Sequence, residues 1–370
     1  MVRIALNGRF TGVRQPTGTQ TAAFHLFDQI TLLNSAAPKT ELVVFADPRF
    51  PGVAAWKERA GVTLVEIPFQ DWGRYRGQLW EQWSLPRLCR RYGCPVAHHP
   101  ITTSPAWKRG VKSIVTLHDL HYYLHPEWSS RSFRLAYALC ATPGLRRAER
   151  VVTISNYVCQ QAREVFGFPP ERLRMIYNGV KPMVAQRRGL GGSAPYFFCV
   201  GALQPHKNLI RVVEAFLQLR REHPQLELYV AGRPQHFAAK ESRLPRLLAA
   251  DGVKVLGYLS ETDLANAYAG AVAYCYPSYE EGFGLPVLEA MSVGTPVITS
   301  NRSCLPEVAG PSAILVDPYS VEAIADGMRQ ALVLTPEERE RKAEEGKQWA
   351  AQFSWENAAR GYLKLYQEFA

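Results

Sequence analysis

The sequence predicts an α/β protein built from two doubly wound parallel sheets. Three observations carry that prediction. A chain of 370 residues exceeds what one hydrophobic core can serve. Two successions of short apolar runs alternate with helix-patterned segments, the mark of βαβ units. Between the two successions one stretch loses all periodicity.

The first succession runs VRIALN (2–7), ELVVFA (41–46), VTLVEI (62–67), KSIVTLH (112–118), RVVTIS (150–155) and RLRMIY (172–177). The second runs YFFCVG (196–201), LELYVAG (226–232), VKVLGY (253–258), AVAYCYPS (271–278), TPVITS (295–300) and AILVDP (313–318). Separating them is KPMVAQRRGLGGSAP (181–195), where glycine, proline and charge replace pattern, the best linker candidate. The expected domains are therefore 1–182 and 195–353, with a final helix, 354–370. Ser354 is its expected N-cap, and Trp355, Ala358, Ala359, Tyr362, Leu363 and Tyr366 its apolar face.

Composition narrows the function classes. Hydrophobic residues at 47% and charged residues at 21% are ordinary for a globular protein and argue against disorder. The opening VRIALNG is too short for the apolar region of a signal peptide, and no apolar run is long enough to span a bilayer, so a cytoplasmic location is expected. Seven cysteines without a CxxC pair argue for reduced core thiols rather than a zinc site or disulfide framework. The net charge of +10 is uneven: residues 1–190 hold 26 Lys+Arg against 12 Asp+Glu, +14, and the remainder 17 against 21, −4. Basic residues cluster at Arg74 and Arg76, at Arg87, Arg90 and Arg91, at Lys108, Arg109 and Lys112, and at Arg146, Arg147 and Arg150, interleaved with Trp72, Tyr75, Trp80, Trp83 and Trp107. Such a surface suits an anionic membrane, a diphosphate-linked acceptor or a sugar; the plainer reading is a solvated face with its aromatic residues in the core.

The chemistry concentrates in PSYEEGFGLPVLEAMSVGTPVITS (277–300). An apolar run ends at Pro277, a glycine-rich turn follows, and LPVLEAM opens a helix whose unpaired amides form a seat for phosphate. Gly282 and Gly284 allow close backbone approach, and Glu281 and Glu289 flank the turn. By spacing alone the two acids could be a surface acid and a cap; the Gly-Phe-Gly turn between strand and helix favours a ligand site. In VGALQPHKNLIRVVEAF (200–216), Lys207 follows a strand end and precedes a helix, where it can neutralise a diphosphate leaving group.

These stretches together resemble the family-4 retaining glycosyltransferases of the two-Rossmann, GT-B class. The matches are Glu281 to Glu289 within EGFGLPVLEA, the GTPVI that follows, the Lys-Asn of HKN, VTLHDL (115–120), ISNY (154–157), YNGV (177–180), LPEVAG (305–310) and the closing SWENAA. Resemblance is dense over 196–320 and thinner before 110. It implies two Rossmann-like domains facing across a cleft, with the last helix returning to the N-terminal domain. It also implies that Glu289 binds the ribose, that Glu281 lies beside the transferred sugar, and that amides around Phe283, Gly284 and Leu285 hold sugar hydroxyls and phosphate. Lys207 would sit on the diphosphate and His118 at the sugar–acceptor junction; a core histidine satisfied by a backbone group is the plainer reading of His118. Gly18 and Thr19, in PTGTQ, match the family's first glycine loop, and base recognition is expected around Gly257 to Ser260, with Leu259 in contact. One departure is Ala202, where relatives carry Arg; His206 stands where another Arg is common, and an imidazole brings less charge near pH 7 than a guanidinium.

The implied activity is retaining transfer of a hexose from a nucleotide diphosphate sugar, UDP-hexose or GDP-mannose, to a glycan or lipid-linked acceptor in envelope or exopolysaccharide synthesis. No cofactor or metal is expected, since no Asp-x-Asp element occurs and His118, His121 and His125 lack HExxH spacing. Nor is nucleic acid an expected partner. A nucleotide-sugar epimerase and a non-catalytic nucleotide-sugar sensor are the rival classes: the first forms product from donor alone, the second transfers to no acceptor.

Overall fold

The computed structural model describes residues 1–72, 74–107, 110–192, 194–201, 204–232 and 243–370. Lys108, Arg109 and Ala202 lie outside the described residues, as do the side chains of Arg74 and Tyr75. The chain divides into two units, Met1–Gly179 with Phe353–Ala370, and Val180–Gln352.

In the first unit, β1 (Val2–Gly8), β2 (Thr40–Ala46), β3 (Val62–Glu66), β4 (Val96–His99), β5 (Lys112–Leu117), β6 (Arg150–Thr153) and β7 (Leu173–Met175) form one sheet in the order β3-β2-β1-β4-β5-β6-β7. Every pairing is parallel. Six of these strands coincide with the apolar runs of the sequence. The seventh, β4, was not expected, because Val-Ala-His-His is too polar to stand out; its two histidines are buried and held by distant partners.

The second unit carries β8 (Tyr196–Val200), β9 (Glu227–Ala231), β10 (Val253–Gly257), β11 (Ala273–Tyr276), β12 (Val297–Ser300) and β13 (Ile314–Val316) in the order β10-β9-β8-β11-β12-β13, again parallel throughout. All six match the second succession. One face of this sheet packs Phe197, Val230 and Ile298 against Val212, Phe216 and Leu219 of the helix Leu209–Glu222 and against Ile324 and Met328 of the helix Val321–Leu332. Both sheets reverse strand order at a central point, between β1 and β4 and between β8 and β11. The crevice beyond the strand ends at such a point is where open α/β sheets take ligands.

The final helix, Trp355–Gln367, belongs to the first unit, where it packs on the helix Gly18–Ala36. Ser354 caps it, its side chain accepting from the Asn357 amide at 3.1 Å. Trp355, Ala358, Ala359, Tyr362 and Tyr366 are buried as the sequence suggested, but Leu365 is buried in place of Leu363. Tyr366 reaches the His98 Nδ1 at 2.6 Å and Tyr362 the Thr116 hydroxyl at 2.7 Å, so the helix is fastened by polar as well as apolar contacts. Among the described residues no helix is long and apolar enough to cross a membrane.

Candidate functional site

In the second unit Lys207 and Glu281, both singled out by sequence, meet at the strand-order switch. β8 leads through Gly201 to a short turn, Pro205–Lys207, and β11 ends at Tyr276. Lys207 Nζ lies 2.7 Å from Glu281 Oε1, and the Tyr276 hydroxyl donates to the same oxygen at 2.8 Å. The ammonium also stands 4.9 Å from the centre of the Tyr276 ring. Burial and the Glu281 charge together push the Tyr276 hydroxyl far up, so it stays a donor. Lys207, Tyr276 and Gly201 line one crevice with Cys199 and Cys275.

Asn208, next in sequence, takes a left-handed conformation (φ 59°), and its buried amide donates to the carbonyls of Pro277 and Pro318 at 2.9 and 2.7 Å. Those bonds tie the Lys207 turn to the loops after β11 and β13. His206 is buried, and its carbonyl accepts from the Tyr279 amide at 2.8 Å. Cys304 sits 3.2 Å from the carbonyl oxygens of both Glu281 and Phe283, bracing the glycine-rich turn from beneath. Gly284 ends that turn with φ 97° as the N-cap of the helix Leu285–Ser292; a Cβ there would stand 2.8 Å from Leu305 Cδ2. Glycine is required by the backbone conformation, and any larger residue would also displace the Leu305 side chain.

Glu289, on that helix, is half-buried, and its Oε2 accepts from the Tyr268 hydroxyl at 3.2 Å. Burial is the dominant influence: it raises the carboxyl to about 7, with Tyr268 opposing and Glu261 adding. Leu259 is half-buried on the loop after β10, just before Ser260, which caps the helix Glu261–Gly270.

In the first unit, His118 follows β5 and is buried. Its Nε2 lies 2.7 Å from the Pro100 carbonyl, which can only accept, so Nε2 carries the proton and Nδ1 is left as an acceptor. Burial lowers the ring pKa, against the Pro100 carbonyl and Asp119, which raise it. The backbone-satisfied reading of His118 thus describes one ring nitrogen and leaves the other open to chemistry. Gly18 begins the helix Gly18–Ala36, capped by Thr17 with Gln20 in a capping box, and a Cβ at Gly18 would meet nothing within 4 Å. Thr19 is the next residue of the same turn.

The sequence did not point to Glu81. It lies in a π-helical turn, Trp80–Ser84, almost wholly buried, accepting from Asn7 Nδ2 at 2.6 Å and from the Thr103 hydroxyl at 3.2 Å. Arg9 approaches it to 3.3 Å. Burial alone would push the Glu81 carboxyl up; Arg9, His99 and Thr103 outweigh it and hold the group near 2. No signal short of the folded structure could have found this residue, because its partners lie far off in the chain.

Among the described residues no three His, Cys, Asp or Glu side chains are placed to hold a metal ion. His121 pairs with Asp119 and His125 with Glu127, while His118 turns to Pro100. Of the aromatic residues among the basic clusters, Trp80 is core and Trp72 packs against it, whereas Trp83 and Trp107 are exposed, their rings 6.3 Å apart. The expected aromatic face is therefore reduced to part of its members.

The profile described as "Glycosyl transferases group 1" matches residues 183–349, and "Glycosyltransferase Family 4" matches residues 30–183. The chain is a family 4 glycosyltransferase. Among its relatives, the O-antigen chain mannosyltransferase B of Escherichia coli is 29% identical over 303 residues, 78% of this chain and 77% of that one. The glycogen synthase of Mycobacterium tuberculosis is 28% identical over 364 residues, 95% of this chain and 84% of that one. Among solved structures, Anabaena HepE in complex with UDP and glucose superposes with a TM-score of 0.72 at 18% identity, covering 100% of both chains. The glycosyltransferase therefore has the GT-B fold, and Lys207, Tyr276, Glu281 and Gly284 stand together in its group 1 segment.

Proposed function

We propose that this glycosyltransferase moves a hexose, with retention, from UDP-hexose or GDP-mannose to a glycan or lipid-linked acceptor in the making of an envelope or exported polysaccharide. The second unit holds the donor, the first the acceptor. The observation that carries this reading is the Lys207–Glu281–Tyr276 cluster at the end of β11, beside the amides that open the helix Leu285–Ser292. A diphosphate seated on those amides draws the Lys207 ammonium, and Glu281, still held by the Tyr276 hydroxyl, turns its second oxygen to the sugar. Glu289 as carboxylate accepts from the ribose hydroxyls, with Leu259 against the base.

Departure of the diphosphate generates an oxocarbenium-like centre. The acceptor hydroxyl attacks from the same face, and its proton passes to the leaving phosphate. Protein groups then supply positioning and charge, with His118 Nδ1 accepting from a hydroxyl on the acceptor side and no metal needed. Gly18 and Thr19, on the first glycine loop, are assigned to donor binding. The mannosyltransferase relative favours GDP-mannose, whereas the HepE complex and the glycogen synthase favour glucose donors.

A thermal-shift panel of UDP, GDP and ADP sugars tests the reading, because a ligand at a hundred times its dissociation constant stabilises by about 2.7 kcal/mol. A shift with one base, followed by sugar transfer to a hexoside acceptor, is expected. Conversion of the donor alone into an epimer would favour the epimerase, and binding without transfer to any acceptor a sensor.

A further inference from the structure

Beyond Asn7, Arg9 and His99, the polar contacts of Glu81 and its neighbour Gln82 converge on one loop. Thr103 donates to Glu81 at 3.2 Å, and Arg9 bridges the two, donating to the Thr103 hydroxyl at 2.8 Å. Gln82 Nε2 donates to the Ser104 carbonyl at 3.0 Å, and the Ala106 amide donates back to Gln82 Oε1 at 2.7 Å. The same loop carries Pro100, whose carbonyl fixes the His118 ring, and Thr102, whose hydroxyl lies 3.4 Å from the His118 amide nitrogen. Asn7 completes the set: its Oδ1 accepts from the Arg9 amide at 3.2 Å, which leaves its Nδ2 facing Glu81.

Packing gives no reason for this arrangement. A buried carboxylate–guanidinium pair is commonly no more stabilising than apolar residues of the same volume. Here the pair stands at the carboxyl end of β1, beside the switch to β4, on a π-helical turn, a distortion that occurs mostly at functional sites. The turn also sets Glu81 and Gln82, consecutive residues, to grip successive parts of one loop.

We propose that Glu81 and Gln82 are positioning residues: they clamp the loop of residues 100–106 and, through its Pro100 carbonyl, set the orientation and tautomer of His118. Arg9 and Asn7 fasten the clamp to the end of β1. The proposal rests on the reading that His118 serves the acceptor side, and its test separates the two. The full-length protein is compared with Glu81→Gln and Gln82→Met by hydrogen–deuterium exchange and by imidazole nitrogen NMR, with His118→Ala assigning the His118 signals.

In both variants the expected result is faster exchange across 100–107 than in wild type, by about tenfold, with exchange at 281–290 unchanged. The His118 Nε2–H signal should broaden or shift, and binding of the nucleotide donor to the second unit should stay within about twofold. Unchanged protection of the loop would overturn the clamp. So would a loosened loop with an unaltered His118 signal. Where Glu81→Gln does not fold, Gln82→Met alone decides, since it removes no charge. Loosening of both loop and ring, together with wild-type transfer by His118→Ala, would uphold the clamp and reject the catalytic reading of His118.

Discussion

Lys207 and Glu281, separated by 74 positions in the chain, form a 2.7 Å ion pair in which the Glu281 carboxylate is nearly buried and the ammonium only partly so. The pair links the turn after β8 to the turn after β11, so neither residue is an isolated charge waiting for ligand. Lys207→Ala leaves a buried carboxylate without its cation. Its expected effects are weaker binding of the nucleotide diphosphate and slower transfer, each by about tenfold or more. Isothermal titration with UDP or GDP and a transfer assay measure the two separately.

Glu281 and Glu289 should part company when each is shortened to alanine. Glu289→Ala is expected to weaken nucleotide binding about tenfold, whereas Glu281→Ala lowers turnover and leaves nucleotide affinity closer to wild type. Equal affinity and equal turnover in the two variants would remove the assigned roles.

The raised carboxyl of Glu289 makes both stability and binding depend on pH. Its folded value near 7 lies above the ordinary 4.5, so the native state holds this proton more tightly than the unfolded chain. The group then contributes no penalty below about pH 4.5, a growing destabilisation as pH rises towards 7, and a constant one above. Glu289→Gln should match wild type near pH 4.5 and exceed its stability at pH 8 by up to about 3 kcal/mol, read from denaturant melts. Nucleotide binding should run the opposite way in wild type, strengthening from pH 6 to pH 8 as the carboxylate forms and accepts the ribose hydroxyls.

Alanine at Gly284 must adopt φ near 97° and push against Leu305. The expected cost is about 2 kcal/mol of stability, and nucleotide binding should weaken more than stability alone explains, because the amides that open the following helix are displaced. A melt and a titration of the same sample distinguish these two effects.

Transfer is expected to survive excess EDTA, since Lys207 and the helix start supply the charge that a metal would otherwise bring. Loss of activity on chelation, with recovery on Mg²⁺ or Mn²⁺, would show that a cation is required.

Trp83, Trp107, Leu79, Leu135 and Leu139 of the first unit are exposed, as are Arg87, Arg90 and Arg91, residue types suited to an anionic bilayer. Co-sedimentation with phosphatidylglycerol vesicles is expected at low salt and should fall as screening shortens to about 10 Å near 0.1 M. Trp83→Ser with Trp107→Ser should reduce it. Equal recovery with neutral and anionic vesicles would exclude the membrane as partner.

Twelve of the thirteen strands are legible in the sequence because each is a local apolar run, and a buried parallel strand needs little else. β4 escaped because its polarity is answered at a distance: His98 by Tyr366, 268 positions on, and His99 by Asn7, 92 positions back. Gly284 and the helix after it were readable for the same local reason as the strands. The Lys207–Glu281 pairing and the whole environment of Glu81 were not, since a carboxylate's burial and its partners are properties of the tertiary fold. Leu363 and Leu365 show the limit on a smaller scale, two positions on one helix whose burial depends on where its neighbour lies.

The first unit is assembled from two stretches of chain with the whole of the second unit between them. On the ribosome this inverts the usual order of completion. While residues 180–352 are being made, the sheet that begins the chain lacks its last helix, and His98 and Thr116 lack the tyrosine hydroxyls that satisfy them. The second unit, continuous in the chain, closes while the first still shows an uncovered apolar and polar seam. The half made first is thus the half finished last.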